Sequence, residues 1–312
     1  MLPNLDLSII TVNWNTHRLL LQFIESIVRT IGDIPYELIV VDNCSSDGSA
    51  QLVESNFPNV RVLSLKDNLG FSRAANLALK STSGDYILVA HPDTCFQENA
   101  ISILLSRLKS DTPLGVVGGN LVYPNGTWNK CAIQKRSIRR ELIDFGFPLS
   151  TIDEQITEMF SRFGKRRLPI YWDHKDRAEV WAVWNACMMF KHDMVNAIGT
   201  FDERFFVWFA DTDLCYRARD AGWKVCYVPE AKIIHFEVQS GEHVDQKLVG
   251  YKTNAFLASN AMREDLAVLL QKHYSKTYSA MSNCIQILAH FKALLRSLAK
   301  ELSGRRIGSS KG

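Results

Sequence analysis

Apolar and polar residues alternate along the first 123 positions in two rhythms, short β-branched runs and longer amphipathic stretches, which predicts a parallel sheet flanked by helices. The predicted strands are Leu7–Val12, Glu37–Val41, Val60–Leu65, Asp85–Ala90 and Gly115–Val122. Between them, Leu19–Arg29, Ser49–Asn56, Ser72–Lys80 and Asn99–Lys109 carry apolar residues at helical spacing. Right-handed crossovers then gather the loops at the strands' carboxyl ends along one edge, where open α/β sheets bind ligands. Residues 124–177 interrupt the rhythm with Arg139-Arg140 and Arg166-Arg167 among Pro, Gly and mixed charges, and read as an insertion or lid. Patterning returns at Val180, passes an aromatic cluster (Phe201, Phe205, Phe206, Trp208, Phe209) and reaches strands at Lys224–Val228 and Lys232–His235. From Met281, the residues Cys284, Leu288, Phe291, Leu295, Leu298 and Leu302 follow at steps of three and four, the apolar stripe of a helix. The expected organisation is a domain over 1–245 with a variable insertion at 124–177, a helical extension over 246–303, and a disordered polar tail over 304–312.

Composition narrows the class. The chain has 312 residues, 46% apolar and 22% charged, enough to bury a full core and unlike a disordered, collagenous or coiled-coil sequence. No apolar run approaches the ~20 residues of a membrane-spanning helix, and the N-terminus lacks the layout of a signal peptide, so a cytoplasmic protein is expected. The cysteines are odd in number, scattered and without a C-x-x-C pair, and read as reduced and mostly buried. Net charge is +3, but residues 272–312 hold eight Lys or Arg against Glu301. That excess sits at one end without a nucleic-acid-binding motif, so no nucleic-acid partner is expected; an anionic membrane surface met by 281–306 suits it better.

Four carboxylate-bearing or turn-forming loops fall where strands should end. In Val41-Asp42-Asn43-Cys44-Ser45-Ser46-Asp47-Gly48, the acid at the strand end could accept from a base or ribose hydroxyl, while Ser45, Ser46 and Asp47 could cap the next helix. Asn68-Leu69-Gly70-Phe71 is a Gly-opened turn into a helix carrying Asn76, whose first amides could face phosphate. His91-Pro92-Asp93-Thr94 ends a buried strand in two metal-competent side chains, and a diphosphate-bound Mg²⁺ or Mn²⁺ needs only one or two protein carboxylates. In the stretch from Phe201 to Cys215, Asp211 and Asp213 interrupt aromatic residues; desolvation there raises a carboxylate's pKa and suits a general base. Asp213 is expected to cap a helix over Leu214–Asp220, leaving Asp211 for chemistry.

Together these loops resemble glycosyltransferase family 2 on the GT-A fold, an α/β, mostly parallel Rossmann-like sheet flanked by helices, and particularly its bacterial rhamnosyltransferase-like branch. The matching pieces are Ile9 to Asn15, Val41-Asp42-Asn43 with Ser45 and Asp47, Asn68 with Gly70, Phe71 and Asn76, Pro92-Asp93-Thr94, and Gly199 to Phe206 leading to Asp211, Asp213-Leu214-Cys215 and Gly222-Trp223. The resemblance implies that Thr11, Asn13 and Asp42 line the nucleotide pocket, with Asn43, Asn68, Gly70 and Asn76 beside them. It implies Asp93 as the surviving acid of the Asp-X-Asp metal motif, His235 as a ligand to the metal or diphosphate, and Asp211 as catalytic base, while His91 is a candidate ligand on its own chemistry. Trp208 could stack on a sugar face. Three positions depart from the pattern: His91 stands where Asn or Asp is frequent, Ala210 where Glu usually precedes the base, and Asn185 where Gly is common.

The implied activity is metal-dependent, inverting transfer of a hexose or deoxyhexose, rhamnose first, from a nucleotide-diphospho-sugar to a glycan or polyprenyl-diphosphate-linked acceptor in cell-surface polysaccharide synthesis. The basic insertion, with Trp128 and Trp172, is the expected acceptor-selecting segment. A nicotinamide-dependent oxidoreductase is excluded because Thr11 to His17 holds no glycine, and a sugar-phosphate nucleotidyltransferase lacks its glycine-rich basic loop. The rival is a catalytically impaired sugar-binding module, suggested by Ala210 and His91. The terminal stripe admits intramolecular packing, a homodimer seam or an in-plane membrane helix.

Overall fold

The computed structural model describes residues 5–129, 131–138, 141, 175–236, 260–288 and 291. Its strands are β1 (Leu7–Asn13), β2 (Tyr36–Asp42), β3 (Arg61–Ser64), β4 (Tyr86–Ala90), β5 (Thr94–Phe96), β6 (Leu114–Val122), β7 (Ala132–Ile133), β8 (Ala178–Glu179), β9 (Ala182–Val183), β10 (Cys187–Lys191) and β11 (Lys224–His235). Its helices are α1 (His17–Thr30), α2 (Ser49–Asn56), α3 (Gly70–Leu79), α4 (Ala100–Lys109), α5 (His192–Ile198), α6 (Ala210–Asp220) and α7 (Asn260–His273). The main sheet runs β3-β2-β1-β4-β10-β6-β11-β5, with β8 added beside β11. β1 to β4 are parallel, β10 lies antiparallel between β4 and β6, and β11 runs parallel to β6. The β-branched runs form strands because both faces of the sheet are covered: Ile9, Ile10, Val40, Val41, Leu88 and Val89 are fully or almost fully enclosed.

The described chain separates into two compact units, residues 1–135 with 173–249, and 136–172 with 250–312. The first holds the sheet. In the second, Met262, Leu266, Leu269, Leu270 and Ile285 are buried, and Tyr278 Oη donates to the enclosed Glu141 carboxylate at 2.8 Å. Among the described residues no helix is long and apolar enough to cross a membrane. The basic pairs and Trp172 of the insertion, together with 237–259 and most of 289–312, lie outside the described residues.

Four sequence expectations change. β11 is one strand instead of two, with an irregularity between Val228 and Lys232 where Pro229 has no N–H to give the ladder. α6 starts at Ala210, so Asp213 sits within its first turn and pairs with Arg217 at 2.8 Å in place of capping it; Phe209, in the left-handed region at φ 62°, is the turn into the helix. The terminal stripe is not packed inside its own chain over its described part: Met281, Leu288 and Phe291 are 48%, 56% and 60% exposed, while Ser282 and Ile285 face inward. Finally, Asn76 serves the fold. Its Nδ2 donates to Phe201 O at 2.8 Å and to Glu203 Oε1, and its Oδ1 accepts from Phe201 N at 3.1 Å, so both amide hydrogens of this 4%-exposed residue and one acceptor site are engaged within the fold.

Gly70 opens α3 at φ 76°, and a Cβ there would lie 2.5 Å from Phe206 O, so both the turn and the approach of the 206 segment require glycine. Cutting Asn76 back to Ala strands a buried donor and acceptor of Phe201. Asn76→Ala should therefore destabilise the domain by about 2–4 kcal/mol, seen as a lower urea or thermal midpoint. Unchanged stability with weakened nucleotide binding would restore the ligand reading of Asn76.

Candidate active site

The parallel strands deliver their last residues to one edge. Asn13 and Asp42 are register partners at the ends of β1 and β2, and Asn13 Nδ2 donates to Asp42 Oδ1 at 2.8 Å and to Ser45 Oγ at 3.1 Å. Asp42 Oδ2 accepts from Ser45 N, which folds the loop back over the strand end. Asp47 takes the capping role for two helices at once, accepting from His17 N of α1 and from Ser49 N of α2, and its carboxyl is held below its usual range: burial would raise it, but these hydrogen bonds and His17 outweigh that. Asn43 ties this loop to the next, donating to Asn68 Oδ1 at 2.8 Å and accepting from Leu69 N at 2.9 Å. Gly70 N donates to Asn68 Oδ1 and Phe71 N to Phe206 O, so the first amides of α3 are engaged within the protein and do not form an open anion cradle. Thr11 and Asn13 are fully enclosed, and Thr11 Oγ1 has no hydrogen-bond partner among the described residues.

A second cluster forms where β4 ends. β5 pairs with the end of β11, placing His235 opposite Thr94, and Phe236 N donates to Asp93 O at 2.9 Å. This brings His235 Nε2 to 3.4 Å from Asp93 Oδ1 across 142 positions of sequence, and His91 Nδ1 to 3.9 Å from the same oxygen. Ligand atoms of His91, Asp93 and His235 all lie within 4.8 Å of one another. Burial alone would raise the Asp93 pKa, but the His235 hydrogen bond and the two imidazoles prevail and hold its carboxyl below the usual range. Desolvation, aided by His235, pushes the His91 pKa down against the pull of Asp93, so its neutral, ligating form is favoured.

Asp211, in the first turn of α6, is 8% exposed. Its Oδ2 accepts from Asn185 N at 3.1 Å, and its Oδ1 accepts from the amide and hydroxyl of Thr212. Desolvation outweighs these bonds and raises its pKa above the usual carboxylate range. Asn185 Oδ1 lies 2.9 Å from His91 Nε2, so one residue touches both the candidate base and a candidate ligand. Two positions that depart from the family pattern are thus in contact with each other. Sequence reading marked Asn185 only as a departure; its place follows from β10, where Cys187 pairs with Ala90 and Ala186 O accepts from His91 N. Asn129 was also missed: its Nδ2 lies 3.2 Å from His235 Nδ1, behind the cluster, and no motif points to it. Trp208, half-buried, precedes the base beside the exposed Phe206 and Val207.

Two imidazoles and a carboxylate form a borderline donor set that a divalent ion could use. Such a set beside a desolvated carboxylate can hold a diphosphate-associated ion while deprotonating a hydroxyl.

Among solved structures, the chain is similar to a mannosyltransferase of Pyrobaculum calidifontis in complex with GDP-Man and Mn²⁺ (TM-score 0.53, 14% identity, 94% of this chain and 88% of that one). It is also similar to GalNAc-T7 with UDP, GalNAc and Mn²⁺ (TM-score 0.55, 12% identity, 75% and 44%). These likenesses establish the GT-A fold. In sequence it is 26% identical over 224 residues to an N-acetylglucosaminyl-diphospho-decaprenol L-rhamnosyltransferase of Mycobacterium tuberculosis, covering 66% of this chain and 68% of that protein. The profile of Glycosyl transferase family 2 matches residues 8–172, more than half the chain. With that profile spanning the strand ends that carry Asp42 and Asp93, the chain belongs to glycosyltransferase family 2 and is a glycosyltransferase.

Proposed function

We propose that this enzyme transfers rhamnose, or a related hexose or deoxyhexose, with inversion from a nucleotide-diphospho-sugar to a polyprenyl-diphosphate-linked or glycan acceptor in cell-surface polysaccharide synthesis. The observation that carries the reading is the continuous line Asp211–Asn185–His91, with Asp93 and His235 beyond it, which sets a desolvated carboxylate next to a metal-competent cluster. The name of the mycobacterial relative, a rhamnosyltransferase acting on a diphospho-decaprenol, supports the sugar and the acceptor class.

Asp42 and Asn43 hold the nucleotide, framed by Thr11, Asn13, Asn68 and Gly70 behind the loop. His91, Asp93 and His235 would hold a divalent ion, Mg²⁺ or Mn²⁺; bound there, it would supply charge stabilisation to the departing diphosphate. Asp211 takes the proton of the acceptor hydroxyl as that oxygen attacks the anomeric carbon, and its raised pKa makes it a better proton acceptor than an ordinary aspartate. Trp208 offers a ring to the acceptor sugar. Ala210 is 1% exposed in the first turn of α6 and adds no acid, so Asn185 and Thr212 orient the base here. The exposed face of Met281, Leu288 and Phe291, followed by the basic residues up to 306, meets an anionic membrane on the cytoplasmic side, where a lipid-linked acceptor would be presented.

Asp211→Asn should lower turnover by about 10²–10⁴-fold while donor affinity, read by calorimetry, persists; strong residual turnover removes Asp211 from its role. Asp93→Ala should weaken both Mn²⁺ and donor binding. Because the Asp211 pKa is raised, kcat/KM should be level at high pH and fall as pH drops through a value above the ordinary aspartate range, and an acid limb at or below that range would contradict a desolvated base. On sedimentation with vesicles, the full chain should bind phosphatidylglycerol but not phosphatidylcholine, and Phe291→Glu should weaken that binding; equal binding to both excludes the electrostatic surface.

A further inference from the structure

We infer that Asn185 is a positioning residue for the metal site: its side-chain oxygen fixes His91 in the tautomer that presents Nδ1 to the cluster, while its backbone amide holds the base. The inference rests on the metal-site reading above and adds to it the residue that prepares one ligand. The geometry has three parts. Asn185 is 7% exposed, so its amide is not freely exchanging partners with solvent. Its Oδ1 lies 2.9 Å from His91 Nε2. An amide oxygen only accepts, so Nε2 carries the proton of the neutral ring, and Nδ1 is left with the lone pair. Nδ1 is also the atom turned toward Asp93 Oδ1, at 3.9 Å, a separation too long for a hydrogen bond, so Asp93 does not set the ring's tautomer. Phe71 meets the imidazole edge-on at 6.4 Å between centroids and His235 at 5.8 Å, contacts that limit its tilt without deciding which nitrogen is protonated.

The sheet places Asn185 there. Cys187 opposes Ala90 in the antiparallel β10–β4 pair, and Ala186 O accepts from His91 N, so the residue before Ala186 must pass the His91 side chain. Its other contact, from the backbone N–H to Asp211 Oδ2 at 3.1 Å, does not depend on the side chain. Truncation of Asn185 thus separates the two roles: the hydrogen bond to the base stays and the hydrogen bond to His91 goes.

The test is a titration of the full chain with Mn²⁺ alone, free Mn²⁺ being read by electron paramagnetic resonance at neutral pH. Asn185→Ala removes the acceptor and Asn185→Ser draws it back toward the backbone, away from Nε2, and either one that melts cooperatively carries the test. Each should weaken Mn²⁺ binding by about 10–100-fold. Asn185→Asp, which keeps an oxygen acceptor, should bind at least as well as the parent. On a His91→Ala background, Asn185→Ala should add no further loss, because the side chain acts through the ring. Parent-like Mn²⁺ affinity in the truncations, or an equal loss with and without His91, overturns the inference. If the truncations bind normally while Asp93→Ala loses Mn²⁺, the inference alone fails. If Asp93→Ala and His91→Ala also bind as the parent does, the metal site fails with it.

Discussion

The antiparallel ladder between β10 and β4 is the constraint on which the site depends. A strand that enters a parallel sheet in the opposite direction begins where its neighbour ends, so the residues leaving β4 and those arriving at β10 share one edge. Cys187 to Phe190 are buried between β4 and β6 with side chains alternating between the two covered faces, and a one-residue slip would exchange the sets packed on each face. Register is therefore fixed by the core, and with it the contact of Asn185 with His91. β5 and β11 repeat the device in the last pair of the strand order, where their pairing carries His235 to Asp93.

Electrostatics divides the labour among carboxylates that start chemically alike. Asp93 and Asp211 are both nearly enclosed, and burial pushes each toward protonation. Two histidines reverse that push at Asp93 and keep it anionic, as a cation ligand must be. Backbone amides and one hydroxyl at Asp211 are too weak to do so, and it stays proton-hungry. Pairs of acids driven apart in this way are the physical basis of separate roles within one site. Asp47 shows the third outcome, a carboxylate spent wholly on helix ends, which gives it a structural role despite its place in a motif.

The segment that leads to Asp211 is anchored to the sheet domain by two contacts of α3. Asn76 clasps both backbone groups of Phe201, and Gly70 leaves room for Phe206 O, to which Phe71 N donates. Between these anchors and α6, Phe206 and Val207 remain exposed and Trp208 half-exposed, next to the base.

Much of this was legible in the sequence. The β-branched runs marked β1 to β4 and β6 because a parallel strand is buried on both faces, and the acids at their ends followed from where open sheets bind ligands. Asp42, Asp93, His91 and Asp211 stand out on local pattern, and the roles expected of Asp42, Asp93 and Asp211 come from the family resemblance. Long-range pairing was not legible: β10 carries no alternation that reveals its antiparallel insertion, and β5 is three residues long. Asn76 sits in a motif yet its amide is consumed by Phe201, which lies 125 positions away. The start of α6 was misplaced because a left-handed Phe209, not a capping side chain, turns the chain into the helix. Sequence determined which residues could carry charge, bind metal and end a strand, since those are properties of side chains and short spacing. Only the tertiary structure decided which of them meet, because strand order and register are set by burial of the whole sheet, and no local pattern encodes that.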